Sequence, residues 1–115
     1  MILKTIAMYM IVAWRLLYIT YKARVEPESS GGDILRMYEW QALYCMVHKT
    51  RHPPVQPPTA AEVVAMIARL GGFLGRKNDG YPGVKVLWRG LKRLLDIAEV
   101  YRLFADHEME DMGNG

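Results

Sequence analysis

His48 and His52 stand four residues apart, the spacing that places two imidazoles on one face of a metal-binding helix. No third ligand lies near them, and Pro53-Pro54 ends the helix before His52 can share that face. Metal binding is therefore not expected there. The single cysteine, Cys45, has no evident base and orienting group to make it a nucleophile. One thiol also excludes an internal disulfide and suits a reducing cytoplasm. Serine occurs only as Ser29 and Ser30. Carboxylates are scattered except in the tail, where Asp106, Glu108, Glu110 and Asp111 flank His107. A frayed tail holds no geometry for two-metal work. No catalytic residue, metal site or cofactor is assigned.

Contact with phosphates is the remaining chemistry. Arg69, Arg76, Lys77, Lys85, Arg89 and Arg93 crowd the middle of the chain, with Lys92 beside them, whereas acids dominate past Asp96. A basic middle can face a nucleic-acid backbone or simply solvent. Within it, Gly71–Gly83 is rich in glycine and base. It is not a P-loop, because no Gly-Lys-Ser/Thr ends it and no buried strand precedes it. The lack of a strand also excludes a dinucleotide fingerprint. The stretch reads as a tight corner between helices, with Gly71 and Gly72 closing one helix and Phe73 and Leu74 turning back into the core.

The elements that position these residues read as helices throughout. At 115 residues and a net charge of +3, the chain is one small domain with a modest core. Ile2–Tyr21 is nearly continuous in apolar residues and long enough to span a bilayer, which takes about 20 residues. Lys4 and Arg15 argue against that, since a mid-bilayer arginine costs roughly 2.5–3.5 kcal/mol. No small-residue cleavage site follows to make it a signal peptide. It reads as a buried helix with Ile6, Met10, Trp14 and Leu17 toward the domain and other residues toward a partner surface. Residues 25–33 form a linker broken by Pro27 and Gly31-Gly32, and Asp33 is a candidate cap for a helix over Ile34–Lys49. The expected inward face of that helix is Leu35, Tyr38, Ala42, Cys45 and Met46. A proline-rich connector leads to Thr59, which with Glu62 makes a capping box for the helix Ala60–Leu70.

The last helix is predicted over Val84–Ala105, about 33 Å long. Leu87, Leu91, Leu94, Ala98, Tyr101 and Ala105 recur at alternating steps of four and three, the spacing of a coiled-coil seam. Ile97, Val100 and Phe104 form a second stripe off that seam. The helix thus carries more apolar surface than one contact needs: one face can pack on its own domain and another on a partner, including a copy of itself, or the helix can simply be surrounded by its own fold. Residues 106–115 read as a flexible acidic tail.

Two blocks together resemble a known family. Ile67-Ala68-Arg69-Leu70-Gly71-Gly72-Phe73 is followed some fifteen residues later by Leu87-Trp88-Arg89-Gly90-Leu91. They are similar to the C-terminal dimerisation domain of bacterial cut-and-paste transposases of the Tn5 type, in the insertion-sequence-four family. Val12-Ala13-Trp14-Arg15-Leu16-Leu17 resembles the segment joining that family's catalytic core to this domain.

The resemblance implies an all-α fold, a small bundle of about four helices with a long C-terminal dimerisation helix. Residues 1–24 would link to and pack on a catalytic domain, and residues 34–105 would form the dimerisation domain. The contact between two copies would lie along Leu87, Leu91, Leu94, Ala98, Tyr101 and Ala105, and the corner would rest on Gly71, Gly72, Phe73 and Trp88. The family's two aspartates and glutamate hold divalent metal, typically magnesium, and would lie upstream. Its tyrosine–arginine–glutamate signature does not occur here, although Tyr21 and Arg24 begin like it. The chain would then be a detached or truncated piece, inactive and cofactor-free by itself. It would form a homodimer, or a heterodimer with full-length transposase that inhibits it, in the bacterial cytoplasm, reaching DNA only through the full-length protein. The alternatives are a small basic all-α DNA-binding module and a membrane-inserted protein built on Ile2–Tyr21.

Overall fold

The computed structural model describes residues 2–75, 80 and 82–114, and side chains within those ranges from residue 6 to 104. Four helices make up the fold: α1 (Ile2–Val25), α2 (Met37–His48), α3 (Ala60–Leu70) and α4 (Val84–Asn114). No strand occurs among the described residues. Arg76, Lys77, Asn78, Asp79 and Tyr81 of the predicted loop lie outside them. α4 packs on α3 and α2, and α1 lies against α3 and α4.

The face α1 turns inward is not the expected one. Val12, Leu16, Ile19 and Ala23 are buried, whereas Ile6, Met10, Trp14 and Leu17 point outward, Trp14 with 69% of its surface exposed. A helix that is apolar all round gives periodicity no face to choose; its neighbours choose it. α1 also runs one turn past Tyr21. Lys22 and Arg24 sit in its last turn, where cations favour the negative helix end, and Lys22 pairs with Glu26 at 2.6 Å.

The segment after α1 is tied to the connector that precedes α3. The Gly31 N–H donates to the Pro58 carbonyl at 2.6 Å, and the Ala60 N–H donates to the Ser29 carbonyl at 2.8 Å. Gly31 is buried, and a side chain there would run into Pro58 and Val63. Asp33 does not cap α2. It ends a short 3₁₀ turn, Gly31–Asp33, whose first residues are held by the Ser30 hydroxyl accepting from the Gly32 N–H. α2 starts three residues later than expected, where the Glu39 carboxylate accepts from the Arg36 N–H at 2.9 Å. It buries Trp40, Ala42 and Leu43, leaving Cys45 part-buried and Met46 exposed.

α3 has the predicted bounds. The Thr59 hydroxyl accepts from the Glu62 N–H at 3.2 Å, closing the first turn. Val63, Val64 and Ile67 are buried. At its other end the Phe73 N–H donates to the Ala68 carbonyl at 2.9 Å and the Gly72 N–H to the Arg69 carbonyl at 3.0 Å. This nested pair of bonds requires a left-handed residue between them, and Gly72 supplies it at φ 98°. Phe73 returns to the edge of the core as expected, but Leu74 remains exposed.

α3 and α4 cross with almost no space between them. A Cβ on Gly90 would overlap the Ile67 carbonyl, and one on Gly71 would overlap the Val86 carbonyl. That approach lets Leu87, Leu91, Leu94 and Ala98 fill the centre of the molecule, with Leu91 and Leu94 fully enclosed. α4 does not stop at Ala105 but remains helical through Asn114, which takes in residues 106–114 of the predicted tail.

One ion pair ties α1 to α2, whose backbones do not approach each other. Both terminal nitrogens of Arg15 donate to the Glu39 carboxylate, at 2.8 and 2.6 Å, and the Glu39 side chain is only 4% exposed. Burial pushes the Glu39 carboxyl up, but the Arg15 guanidinium and the Arg36 N–H outweigh it and hold the group below its ordinary value.

Two outcomes follow for stability. Gly90→Ala lowers the urea midpoint by the equivalent of about 1–3 kcal/mol, the usual cost of overpacking. Gly83→Ala, where nothing lies within 4 Å, stays within about 0.5 kcal/mol. A carboxyl depressed on folding stabilises above its unfolded value, near 4.3, and that contribution is lost as pH falls through the folded value. Arg15→Met therefore costs about 3–5 kcal/mol at pH 7, by stranding a buried carboxylate. It also reverses the sign of the Glu39 contribution, so that acid then relieves the variant; urea titrations between pH 3 and 7 read both effects.

Candidate functional site

Among the described residues no group of three or more His, Cys, Asp or Glu side chains could hold a metal ion. His48 ends α2 with its ring 4.2 Å from that of Tyr44, and His52 lies beyond the helix, its N–H donating to the Thr50 hydroxyl. Burial pushes the Cys45 thiol up, the opposite of an activated nucleophile. The side chains of Asp106, His107 and Glu108 lie outside the described ones. No helix among the described residues is long and apolar enough to cross a membrane.

The outer surface of α4 is more informative. Leu87, Leu91, Leu94 and Ala98, expected at a contact between copies, form the inward face of this fold instead. Their four-three spacing marks a buried stripe, and α2 and α3 supply what buries it. Tyr101 closes the stripe, half-buried, with its hydroxyl donating to the Gln41 side-chain oxygen at 3.2 Å. The side chain of Ala105 lies outside the described ones. On the opposite face Lys85, Arg89, Arg93, Asp96, Val100 and Phe104 follow at steps of four and three, all exposed. Val100 is 54% exposed, Leu103 57% and Phe104 67%. The inward stripe ends at Tyr101 among the described side chains, so Leu103 and Phe104 lie past it and Val100 beside its last turn. Val100 and Phe104 belong to the second stripe of the sequence, which did not include Leu103.

Two grooves flank this face. One, of about 390 Å³, runs between α2 and α4 and is lined by Met46, Ile97, Val100 and Tyr101 with Asp96 at its rim. The other, of about 550 Å³, follows the first half of α4 past Lys85, Trp88, Arg89, Lys92 and Arg93. Trp88 is fixed there by stacking on Tyr9 of α1, with ring centroids 5.6 Å apart and planes 21° apart. Lys92 stands 5.9 Å over the same Tyr9 ring.

The basic residues do not act as one set. Arg89 donates to the Gly71 carbonyl at 3.2 Å and Arg93 to the Leu70 carbonyl at 2.8 Å. Both guanidinium groups thus cap the C-terminal end of α3, whose last carbonyls lack helical partners. Arg69 and Lys85 are exposed, and Arg76 and Lys77 lie outside the described residues. Gly71, Gly72 and Phe73 follow the end of α3, and Trp88 stacks on Tyr9 of α1.

The arrangement offers a rigid bundle with no reactive centre among the described residues and an apolar outer stripe on its longest helix. The model of one protein family, described as the transposase Tn5 dimerisation domain, matches residues 11–109. No curated protein and no solved structure matches the chain.

Proposed function

Since the chain belongs to the transposase Tn5 dimerisation domain family, we propose that it joins two copies of itself, or one copy and an intact transposase, through the outer stripe of α4. A dimerisation domain is not a catalytic domain, and dimerisation is the role the family carries. The observation that supports the surface is the exposure of Val100 beside the last turn of the inward stripe and of Leu103 and Phe104 past it. Aromatic side chains in such patches dominate the energy of association. The Met46–Tyr101 groove beside them gives a partner's aromatic ring an apolar seat.

The outward face of α1, with Met10, Trp14 and Leu17, is the surface against which the catalytic domain of a whole transposase would pack. In this reading the domain needs no cofactor and performs no chemistry by itself, and it works in the bacterial cytoplasm. The alternative, a phosphate-binding module, has less support, because Arg89 and Arg93 already serve the end of α3.

Sedimentation of the wild-type chain gives a dimer mass, and Phe104→Glu weakens association by about 30-fold or more, the effect of losing an anchor worth about 2 kcal/mol. Leu91→Glu unfolds the domain instead, since Leu91 is fully buried. A wild type that remains monomeric at high concentration removes the reading. Co-expression with an intact transposase lowers its transposition frequency, and Phe104→Glu restores it; an unchanged frequency removes the inhibitory role.

A further inference from the structure

The outward face of α1 has an order of its own. Met10, Trp14, Leu17 and Tyr21 recur at steps of four, three and four, and each is 63–69% exposed. Ile11 and Tyr18 flank them and are exposed too. This is the spacing of a coiled-coil seam. On α4 such a seam is buried within the chain. On α1 the chain buries Val12, Leu16, Ile19 and Ala23 on the other side, and the seam stays open along its length.

The open area is large for a domain of this size. An aromatic side chain buries about 150–250 Å² when fully covered, so Trp14, Tyr18 and Tyr21, at 42–69% exposure, leave roughly 260–440 Å² open. Three aromatics thus reach the range of the largest apolar patch on an ordinary monomer, about 300–600 Å². Met10, Ile11 and Leu17 carry the strip toward the roughly 800 Å² per partner that a stable interface takes.

The charges of α1 favour a second helix over a lipid surface. A helix lying on an anionic bilayer lines its polar flank with cations that meet the headgroups. Here Arg15 pairs with Glu39 and Lys22 with Glu26. α1 carries no acid, and the seam itself carries no charge, so nothing in it repels a copy of itself.

We propose that, in the chain by itself, two copies pair α1 against α1 through this seam, antiparallel about a two-fold axis between positions 15 and 16. In a whole transposase the reading above gives this face to the catalytic domain; the α1 pair forms where that domain does not cover it. A two-fold pair sets the same surface against itself. The antiparallel register places Trp14 opposite Leu17 of the partner and Met10 opposite Tyr21 of the partner. It also keeps the exposed Arg24 away from its own copy, which parallel alignment would set beside it. Unlike ends of the two helix dipoles then lie together.

This contact is separate from the one on α4. A dimer joined through α4 still presents two α1 seams, so the chain grows past the dimer mass as its concentration rises. Sedimentation equilibrium over a range of concentrations reads that growth. Trp14→Glu and Leu17→Lys, both at exposed positions, keep the far-UV circular dichroism of the wild type, and each weakens the second step by about 30-fold or more, the effect of losing an anchor residue. Mixing the two variant chains restores the larger species, because the antiparallel register sets the new carboxylate of one against the new ammonium of the other. Parallel pairing gives no such rescue and overturns the proposal.

A wild type that stays at the dimer mass at every concentration also overturns it and leaves the α4 dimer standing. Association that Trp14→Glu abolishes and Phe104→Glu leaves unchanged supports the α1 pair and removes the α4 reading instead. Co-sedimentation with vesicles of phosphatidylglycerol and phosphatidylcholine that Trp14→Glu abolishes, without species above the dimer, assigns the strip to a lipid surface and overturns the proposal.

Discussion

Helices α3 and α4 meet backbone to backbone at two glycines. Gly71 ends α3 against the Val86 carbonyl, and Gly90 passes the Ile67 carbonyl, in both cases closer than any side chain permits. At that separation the leucines of α4 reach the middle of the molecule and interdigitate with Val63, Val64 and Ile67. The same approach brings Arg89 and Arg93 within reach of the last α3 carbonyls, which would otherwise lack partners. Core packing, the corner at Gly72 and the direction in which α4 leaves the bundle therefore depend on one close crossing.

α1 is held by different physics. Its whole circumference is apolar enough to pack, so hydrophobicity does not orient it. Three particular contacts do. Arg15 reaches across to the enclosed Glu39, Tyr9 stacks on Trp88, and Val12, Leu16 and Ile19 enter the core. A buried ion pair adds little net stability compared with an apolar replacement, but it penalises every rotation that leaves the carboxylate unpaired. The outcome is a broad apolar face turned away from the bundle, with Met10, Trp14 and Leu17 in the open.

α4 differs on its two sides. Its inner side is a core element, and its outer side exposes Lys85, Arg89, Arg93 and Asp96 and then the apolar Val100 and Phe104. Nothing among the described residues provides a metal site or an activated nucleophile.

Local signals are legible in the amino-acid sequence. Thr59 with Glu62 defines the start of α3, Gly71-Gly72 its end, and the paired Arg-Leu-Gly-Gly-Phe and Leu-Trp-Arg-Gly blocks carry the family. Such features act through neighbours a few residues away, which the chain order records. Facing is another matter. The Leu87–Ala98 stripe has the period of a helix seam, but period alone does not say whether a seam closes on its own domain or on another copy. Ile6, Met10, Trp14 and Leu17 have helical spacing equal to that of the residues actually buried. Asp33 is a good cap by type, yet the bond between the Gly31 N–H and the Pro58 carbonyl draws that segment into a turn of its own. Chain order alone therefore fixes that there are four helices, the bounds of α3 and the family they make. Packing of the folded chain fixes which sides of those helices meet and which remain for a partner, because burial depends on residues distant in the chain and brought close only by folding.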